Sequence, residues 1–220
     1  MTVSLVLIVL MMAAFVGWLL RQSIAVRPWV AESGPRPARI PAAFTAPRVG
    51  LVVLLAVVVS VFALTVSAYL MRMEMGADWR PVPLPGLLWA NTAALVLASL
   101  ALQLAWHAAA RGEARRLRLA LVVGGGFTLA FLIGQLLAWR QIEAAGYYLA
   151  ANPANAFFYL LTALHGAHLL GGLVAWGRVV MKLHSGATPA GLYAGVELCA
   201  LYWHFLLLVW ALLFGLLLAT

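Results

Sequence analysis

The most restrictive feature of this chain is a series of six apolar stretches, each about 20 residues long or longer. They cover about 3–20, 49–71, 86–110, 117–139, 156–181 and 192–219. A helix of about 20 apolar residues crosses roughly 30 Å of hydrocarbon, and the stretches lack the polar alternation of membrane-barrel strands. Because 65% of the residues are hydrophobic and 9% are charged, a water-soluble domain is excluded. We therefore predict an all-α, polytopic transmembrane helix bundle of six helices.

The basic side chains indicate orientation rather than a nucleic-acid site. The formal net charge is +8, but the basic residues are not gathered on one soluble face, so no nucleic-acid partner is expected. Eleven of the 14 Lys and Arg residues fall in the loops after the first, third and fifth stretches. They are Arg21, Arg27, Arg36, Arg39, Arg48, Arg111, Arg115, Arg116, Arg118, Arg178 and Lys182. The positive-inside rule makes this side cytoplasmic, so both termini are predicted to be periplasmic.

The first stretch is interpreted as a retained helix rather than a signal peptide. No basic segment precedes it, and five arginines follow it, which is not the pattern of a cleaved leader. The next segment, 27–48, contains five prolines together with Ser33 and Gly34, which predicts a linker without regular structure. The predicted organisation is an extra transmembrane helix at 1–22, a cytoplasmic linker at 23–48 and a five-helix membrane domain at 49–220.

Several kinds of functional site are excluded because the sequence lacks the residues that they require. Cys199 is the only cysteine, so there is neither an internal disulfide nor a cysteine pair for binuclear copper. No phosphate-binding loop or H-E-x-x-H zinc pattern occurs. The run Gly124-Gly125-Gly126 is interpreted as a site of close helix packing.

Two clusters of polar and aromatic residues lie inside the last two apolar stretches. His165 and His168 are three residues apart, on one face of a helix, and Trp203 and His204 lie in the next stretch. Such groups find no water in the hydrocarbon core and need partners within the protein. His168 and His204 fall at similar depth, so they could be a haem b ligand pair. We favour structural hydrogen bonding, because no further ligand candidates accompany this one pair.

These clusters belong to longer patterns. Glu197 is followed by the run from Tyr202 to Trp210, similar to E-x(4)-Y-W-H-F-V-D-x-V-W. The preceding helix runs from Phe157 to Gly172, similar to F-F-x-x-T-x-x-H-G-x-H-x-x-x-G with one additional residue before the threonine. Leu84-Pro85 followed by Asn91 and Thr92 is similar to L-P-x(5)-N-T. Together these patterns resemble subunit III of the haem–copper cytochrome c oxidases over about 49–219, which covers five helices in the same order. The helix at 3–20 lies outside the resemblance.

The sequence departs from the family at three acidic positions. The glutamate that the family usually carries in its second stretch aligns with about Val58, the acidic position of Q-x-x-E-[WY] is Ala138, and the aspartate of W-H-F-V-D is Leu207. Glu197 is retained. These differences indicate a divergent bacterial member in which proton roles cannot be carried over.

The resemblance implies a membrane subunit without a redox centre or metal of its own, in a terminal oxidase that couples O2 reduction to proton translocation. Its implied partners are the catalytic subunit I and the copper-bearing subunit II, which hold the haems and copper, and membrane phospholipids. The implied location is the bacterial inner membrane. We expect a structural polar core of His165, His168, Glu197, Trp203 and His204, and lipid-headgroup contacts at Arg72, Arg111 and Arg178. Two alternatives stay open: a haem b-binding membrane subunit, and a subunit III-like accessory protein of nitric oxide reductase.

Overall fold

The fold was obtained as a computed structural model, and it describes residues 45–76 and 78–220. This part of the chain contains five α-helices and no strand, and all five are long and apolar enough to cross a membrane. They are α1 (Ala46–Met75), α2 (Leu87–Ala110), α3 (Ala114–Ala144), α4 (Pro153–His184) and α5 (Pro189–Ala219). The prediction of an all-α membrane bundle is confirmed. The predicted helix at 3–20 and nearly all of the predicted linker lie outside the described residues.

The chain divides into two compact units between Met71 and Arg72. In the first unit, the described residues form nearly all of α1, a helix of 30 residues. Its buried side chains recur at helical spacing, at Leu55, Val58, Phe62, Val66 and Tyr69. Val58, near which the resemblance places the family's usual glutamate, is buried, with 1% of its surface exposed.

The second unit, 72–220, contains α2 to α5 joined by short turns. Helices α2, α3 and α4 end in the same way, each followed closely by a glycine whose backbone is in the left-handed region of φ. These glycines are Gly112 (φ 74°), Gly146 (φ 88°) and Gly186 (φ 88°), and only glycine adopts this conformation without steric cost. Consecutive helices therefore run antiparallel.

The beginnings of α4 and α5 share one capping pattern. The Asn152 side chain accepts a hydrogen bond from the Ala154 backbone N–H at 2.9 Å, and the Thr188 side chain accepts one from Gly191 at 3.3 Å. Pro153 and Pro189 follow as first helical residues, where the missing proline N–H has no cost. Both helices thus begin three residues before their predicted apolar stretches.

Within the second unit, α3 packs along α2 and against α4, while α5 packs against α2 and α4. Two glycines of the Gly124–Gly126 run permit close approach. A Cβ at Gly124 would lie 3.0 Å from the Leu102 side chain, and a Cβ at Gly125 would collide with the Trp176 ring. A Cβ at Gly126 would meet nothing within 4 Å. Small residues at helix interfaces provide such contacts in membranes, where hydrophobicity does not drive helices together.

Candidate functional site

The polar core of the second unit is built around Trp203 on α5. Its side chain is fully buried (0% exposed), and its indole Nε1–H donates to Thr128 Oγ1 of α3 at 2.9 Å. The Thr128 hydroxyl in turn donates to the Gly124 carbonyl at 2.8 Å. Every polar atom of this contact is therefore satisfied inside the bundle, as the absence of water in hydrocarbon requires.

Trp203 and its neighbour Tyr202 fit against α4 because Gly172 presents no side chain. A Cβ at Gly172 would lie 2.8 Å from Tyr202 Cε1 and 3.1 Å from the Trp203 ring. The Tyr202 hydroxyl donates to the backbone carbonyl of His168 at 3.0 Å. The Tyr-Trp pair of α5 thus contacts α4 through Gly172 and His168 and reaches α3 through Thr128.

His204 faces α2 and is engaged at both ring nitrogens. Nε2 donates to Gln103 Oε1 at 2.8 Å, and Nδ1 forms a hydrogen bond with the buried Ser99 hydroxyl. Gln103 Nε2 donates to His107 Nε2 at 3.1 Å. The four side chains Ser99, His204, Gln103 and His107 therefore form a continuous chain of hydrogen bonds along α2.

His165 has a different environment from the other histidines. It is fully buried (0% exposed) between aromatic rings, with its ring centroid 5.6 Å from that of Phe131 and 5.2 Å from that of Trp210. Neither of its nitrogens has a hydrogen-bond partner among the described residues, and the same holds for the buried amide of Gln135. His168 is partly buried, and its Nδ1–H donates to the Leu164 carbonyl at 2.6 Å.

Glu197 lies on α5 about two helical turns before His204, on the same side of the helix. Its side chain is partly buried. Tyr193, one turn further, has its ring centroid 6.3 Å from that of Trp106 on α2. Glu197 is thus on the stripe of α5 that faces α2, near the level of His107.

The three candidate headgroup arginines are not one cluster. Arg111 is exposed and caps the end of α2, Arg72 is partly buried in the last turn of α1, and Arg178 is exposed near the end of α4. Arg72 already pairs with Asp78, at 2.7 Å between Nη2 and Oδ2. This hydrogen bond lowers the pKa of the Asp78 carboxyl from its ordinary value.

Three further tryptophans make cross-helix bonds that the sequence did not reveal. Trp139 Nε1–H donates to Thr162 Oγ1 at 3.0 Å, Trp176 to the Leu121 carbonyl at 3.0 Å, and Trp210 to Thr92 Oγ1 at 2.9 Å. For two of these bonds the available signal was a threonine inside an apolar helix, because its oxygen can still accept when its hydrogen is donated to a backbone carbonyl. The sequence also missed Ser99 and Gln103, because nothing local pairs them with His204.

The described residues contain no group of three or more His, Cys, Asp and Glu side chains that could hold a metal ion. The single cysteine, Cys199, is buried. The membrane-length helices and the hydrogen bonds of their indoles, hydroxyls and imidazoles define the class of protein: a multi-pass membrane protein whose interior polar groups join its helices.

The comparison with known families identifies the particular family. The family model described as "Cytochrome c oxidase subunit III" matches residues 1–218. The chain therefore belongs to the cytochrome c oxidase subunit III family, and it is a non-catalytic integral membrane subunit of a haem–copper oxidase. The family has no redox centre of its own.

Curated relatives agree with this assignment. The chain is 32% identical over 147 residues to "Probable cytochrome c oxidase subunit 3" of Mycobacterium tuberculosis (strain ATCC 25618 / H37Rv), which covers 65% of this chain and 72% of that protein. It is 29% identical over 154 residues to the protein of the same name from Nocardia farcinica, covering 67% and 74%. A cyanobacterial relative, "Cytochrome c oxidase subunit 3" of Synechocystis sp., is 27% identical over 173 residues, covering 75% and 72%.

Proposed function

We propose that this chain packs beside the catalytic subunit I and the copper-bearing subunit II, and that it supports assembly and stability of the oxidase during turnover. The observation that carries this proposal is the engagement of His204. Ser99 and Gln103 occupy both nitrogens of its imidazole, whereas haem ligation requires one free nitrogen. This engagement supports a structural role for His204 in holding α5 against α2, and we propose that the haems and copper belong to the partner subunits.

The same role is proposed for the other members of the predicted polar core. Trp203 and Tyr202 bond α5 to α3 and α4, which supports a structural role for Trp203 and for the His168 backbone. His165 is packed among aromatic rings, and Glu197 lies on the face of α5 toward α2. We propose that these residues have structural roles in the membrane domain at 49–220. The proposed organisation of the rest of the chain is an additional transmembrane helix at 1–22 and a linker at 23–48.

Phospholipid binding is proposed at the helix ends. Exposed and partly buried arginines beside apolar helix surfaces attract anionic phosphate groups. Arg111 and Arg178 are the stronger candidates, because Asp78 already occupies Arg72. Native mass spectrometry of the complex tests this assignment: Arg111→Gln and Arg178→Gln should each reduce phospholipid retention, while Arg116→Gln should not, because Glu113 already pairs with Arg116 at 2.9 Å. Equal retention in all three variants contradicts it.

The location proposed for the complex is the bacterial inner membrane, with both termini periplasmic. The charge asymmetry of the loops supports this orientation.

The assembly proposal is tested by purifying the tagged chain from membranes in mild detergent. We expect a catalytic haem–copper subunit and a copper-bearing subunit to co-purify, with haem absorbance from the complex and none from the separated chain. A stoichiometric Soret band in the separated chain, lost in His168→Ala, would establish a haem b subunit instead. Co-purification with a nitric oxide reductase catalytic chain would assign the subunit to that enzyme.

A further inference from the structure

Three helices of the second unit carry buried polar side-chain atoms that have no hydrogen-bond partner in the described part of the chain. Five such atoms are Nδ2 of Asn91 on α2, Nε2 and Oε1 of Gln135 on α3, and Nδ1 and Nε2 of His165 on α4. At most 3% of the surface of each of these residues is exposed. A buried polar atom without a partner costs free energy, so each one in a folded protein requires an explanation.

The packing of α3 against α4 places Gln135 close to the level of His165. The ring of Phe131, one turn before Gln135, has its centroid 5.6 Å from that of His165. The indole of Trp139, one turn after Gln135, donates to Thr162 at 3.0 Å. Thr162 lies one turn before His165 on α4. Gln135 and His165 therefore lie on facing sides of the two helices, and their heights differ by no more than about one helical turn of 5.4 Å.

Two contacts bring Asn91 of α2 to the same level. Gly134 of α3 has no side chain, and a Cβ there would collide with the Asn91 amide. The next residue on α2, Thr92, accepts a hydrogen bond from Trp210 at 2.9 Å. The Trp210 ring centroid is 5.2 Å from that of His165. The three polar side chains thus meet at one level of the bundle.

The hydrogen-bonding chemistry of the five atoms restricts what can bind them. Asn91 Nδ2 and Gln135 Nε2 donate, Gln135 Oε1 accepts, and a neutral imidazole has one nitrogen of each kind. An anion would leave the acceptors without partners and a metal cation would leave the donors without partners, and burial of either ion needs a compensating charge that these side chains do not supply. An apolar ligand would bond to none of the five atoms. A water molecule is neutral and both donates and accepts.

Direct bonds between the three side chains are not sufficient. Asn91 Nδ2 could donate to Gln135 Oε1, and Gln135 Nε2 could donate to one nitrogen of His165. The second imidazole nitrogen would still lie among aromatic rings that offer it no hydrogen bond, because the indole N–H beside it is already donated to α2.

We propose that the second unit binds ordered water between Asn91, Gln135 and His165. Buried water molecules typically make about three hydrogen bonds to polar groups that protein partners leave unsatisfied, and the three side chains supply this number. Two hydrogen bonds of about 3 Å each span up to about 6 Å, which matches groups within one helical turn of each other. The water joins α2, α3 and α4 inside the bundle.

Cryo-electron microscopy of the intact complex, purified in mild detergent and imaged at a resolution that shows ordered water, tests the proposal. We expect water density within hydrogen-bond distance of both Gln135 and His165. This result does not depend on which catalytic subunit co-purifies with the chain. A site without water density, three side chains that bond only to one another, or density of an ion or a larger molecule would each overturn the proposal. The map of the unmodified complex is decisive even where a variant fails to assemble.

A double variant tests whether these side chains hold the water. Gln135→Met keeps the length of the side chain and His165→Phe keeps a ring, so together they remove four of the five polar atoms with little change in shape. Asn91 alone is then left, whereas a buried water needs two to four partners, so the density should be lost. His184→Phe is the control, because His184 is exposed at a helix end and bonds to the Val180 carbonyl of its own helix; its map should keep the water. Water that persists in the double variant, or that is lost equally in His184→Phe, would contradict the assignment.

Discussion

At the residue scale, Trp203 offers the most direct test of an interior hydrogen bond. Trp203→Phe keeps an aromatic ring but removes the donor to Thr128, so we expect a loss of about 1–3 kcal/mol in the free energy of unfolding. Trp89→Phe is the control, since Trp89 is 61% exposed. Thermal unfolding of the purified complex measures both. A double-mutant cycle with Thr128→Val should give a coupling of about 0.6 kcal/mol, and a coupling of zero would mean that the bond contributes nothing.

The ion pair of Arg72 and Asp78 predicts a pH dependence outside the membrane. Because the Asp78 pKa is lowered in the folded chain from 3.8, the pair stabilises the fold above that value, and this stabilisation is lost as the pH falls through the lowered folded pKa. Asp78→Asn should therefore lower the unfolding temperature slightly at neutral pH and not at the acid limit. An equal effect at both pH values would contradict the assignment. The effect is small, since both side chains are exposed to solvent.

Substitutions at Glu197 test whether its carboxyl has a structural role or carries protons. Glu197→Gln keeps the size and hydrogen-bonding capacity of the side chain, so we expect assembly, oxygen reduction and proton pumping to survive with modest loss. Glu197→Ala leaves a partner unbonded, at a cost of about 1–3 kcal/mol, and should weaken docking or lipid retention. Proton pumping by the reconstituted complex distinguishes the two roles. If Glu197→Gln abolished pumping while the complex stayed intact, this carboxylate would be an obligatory proton carrier.

At the element scale, the contact of α4 with α5 depends on one glycine. Gly172→Ala places a methyl group 2.8 Å from the Tyr202 ring, and rigid aromatic rings cannot move aside without separating the helices. We expect a loss of about 1–3 kcal/mol through overpacking. Gly171→Ala is a matched control one residue away, where a Cβ meets nothing within 4 Å. Unfolding temperatures of the two variants give the comparison, and equal values would show that α4 and α5 do not pack as described.

The sequence predicted where the described helices lie, but it did not predict their ends or the contacts between them as well. Apolar length located α1 to α5, because about 20 apolar residues in a membrane must be helical. Hydropathy placed the start of α4 at 156, whereas Asn152 and Pro153 start it earlier. The family pattern named Trp203 and His204, but not Thr128 or Ser99. Which helices face one another depends on packing between segments that are distant in the sequence. The spacing of apolar residues within one helix does not identify the helix that it contacts.

At the scale of the whole molecule, the predicted orientation can be tested by cysteine labelling. Arg116 lies in the first turn of α3 and has 72% of its side chain exposed, so Arg116→Cys should react only with reagent on the cytoplasmic side. Tyr148→Cys, in the exposed connection after α3, should react only from the periplasm. The native Cys199 is buried and contributes little background. Reaction of Arg116→Cys with periplasmic reagent alone would show that the chain has the opposite orientation to the predicted one.

The indole bonds also set an order of events during synthesis. Trp203 and Trp210 both belong to α5, and their acceptors Thr128 and Thr92 belong to α3 and α2. Helices α2 and α3 therefore leave the ribosome well before the donors that will bind them. Among the described residues, the indole bonds that can form before α5 enters the membrane are the two between α3 and α4. Helix α5 is thus made after the two helices that its indoles bind, and a chain that stops before Pro189 lacks both donors.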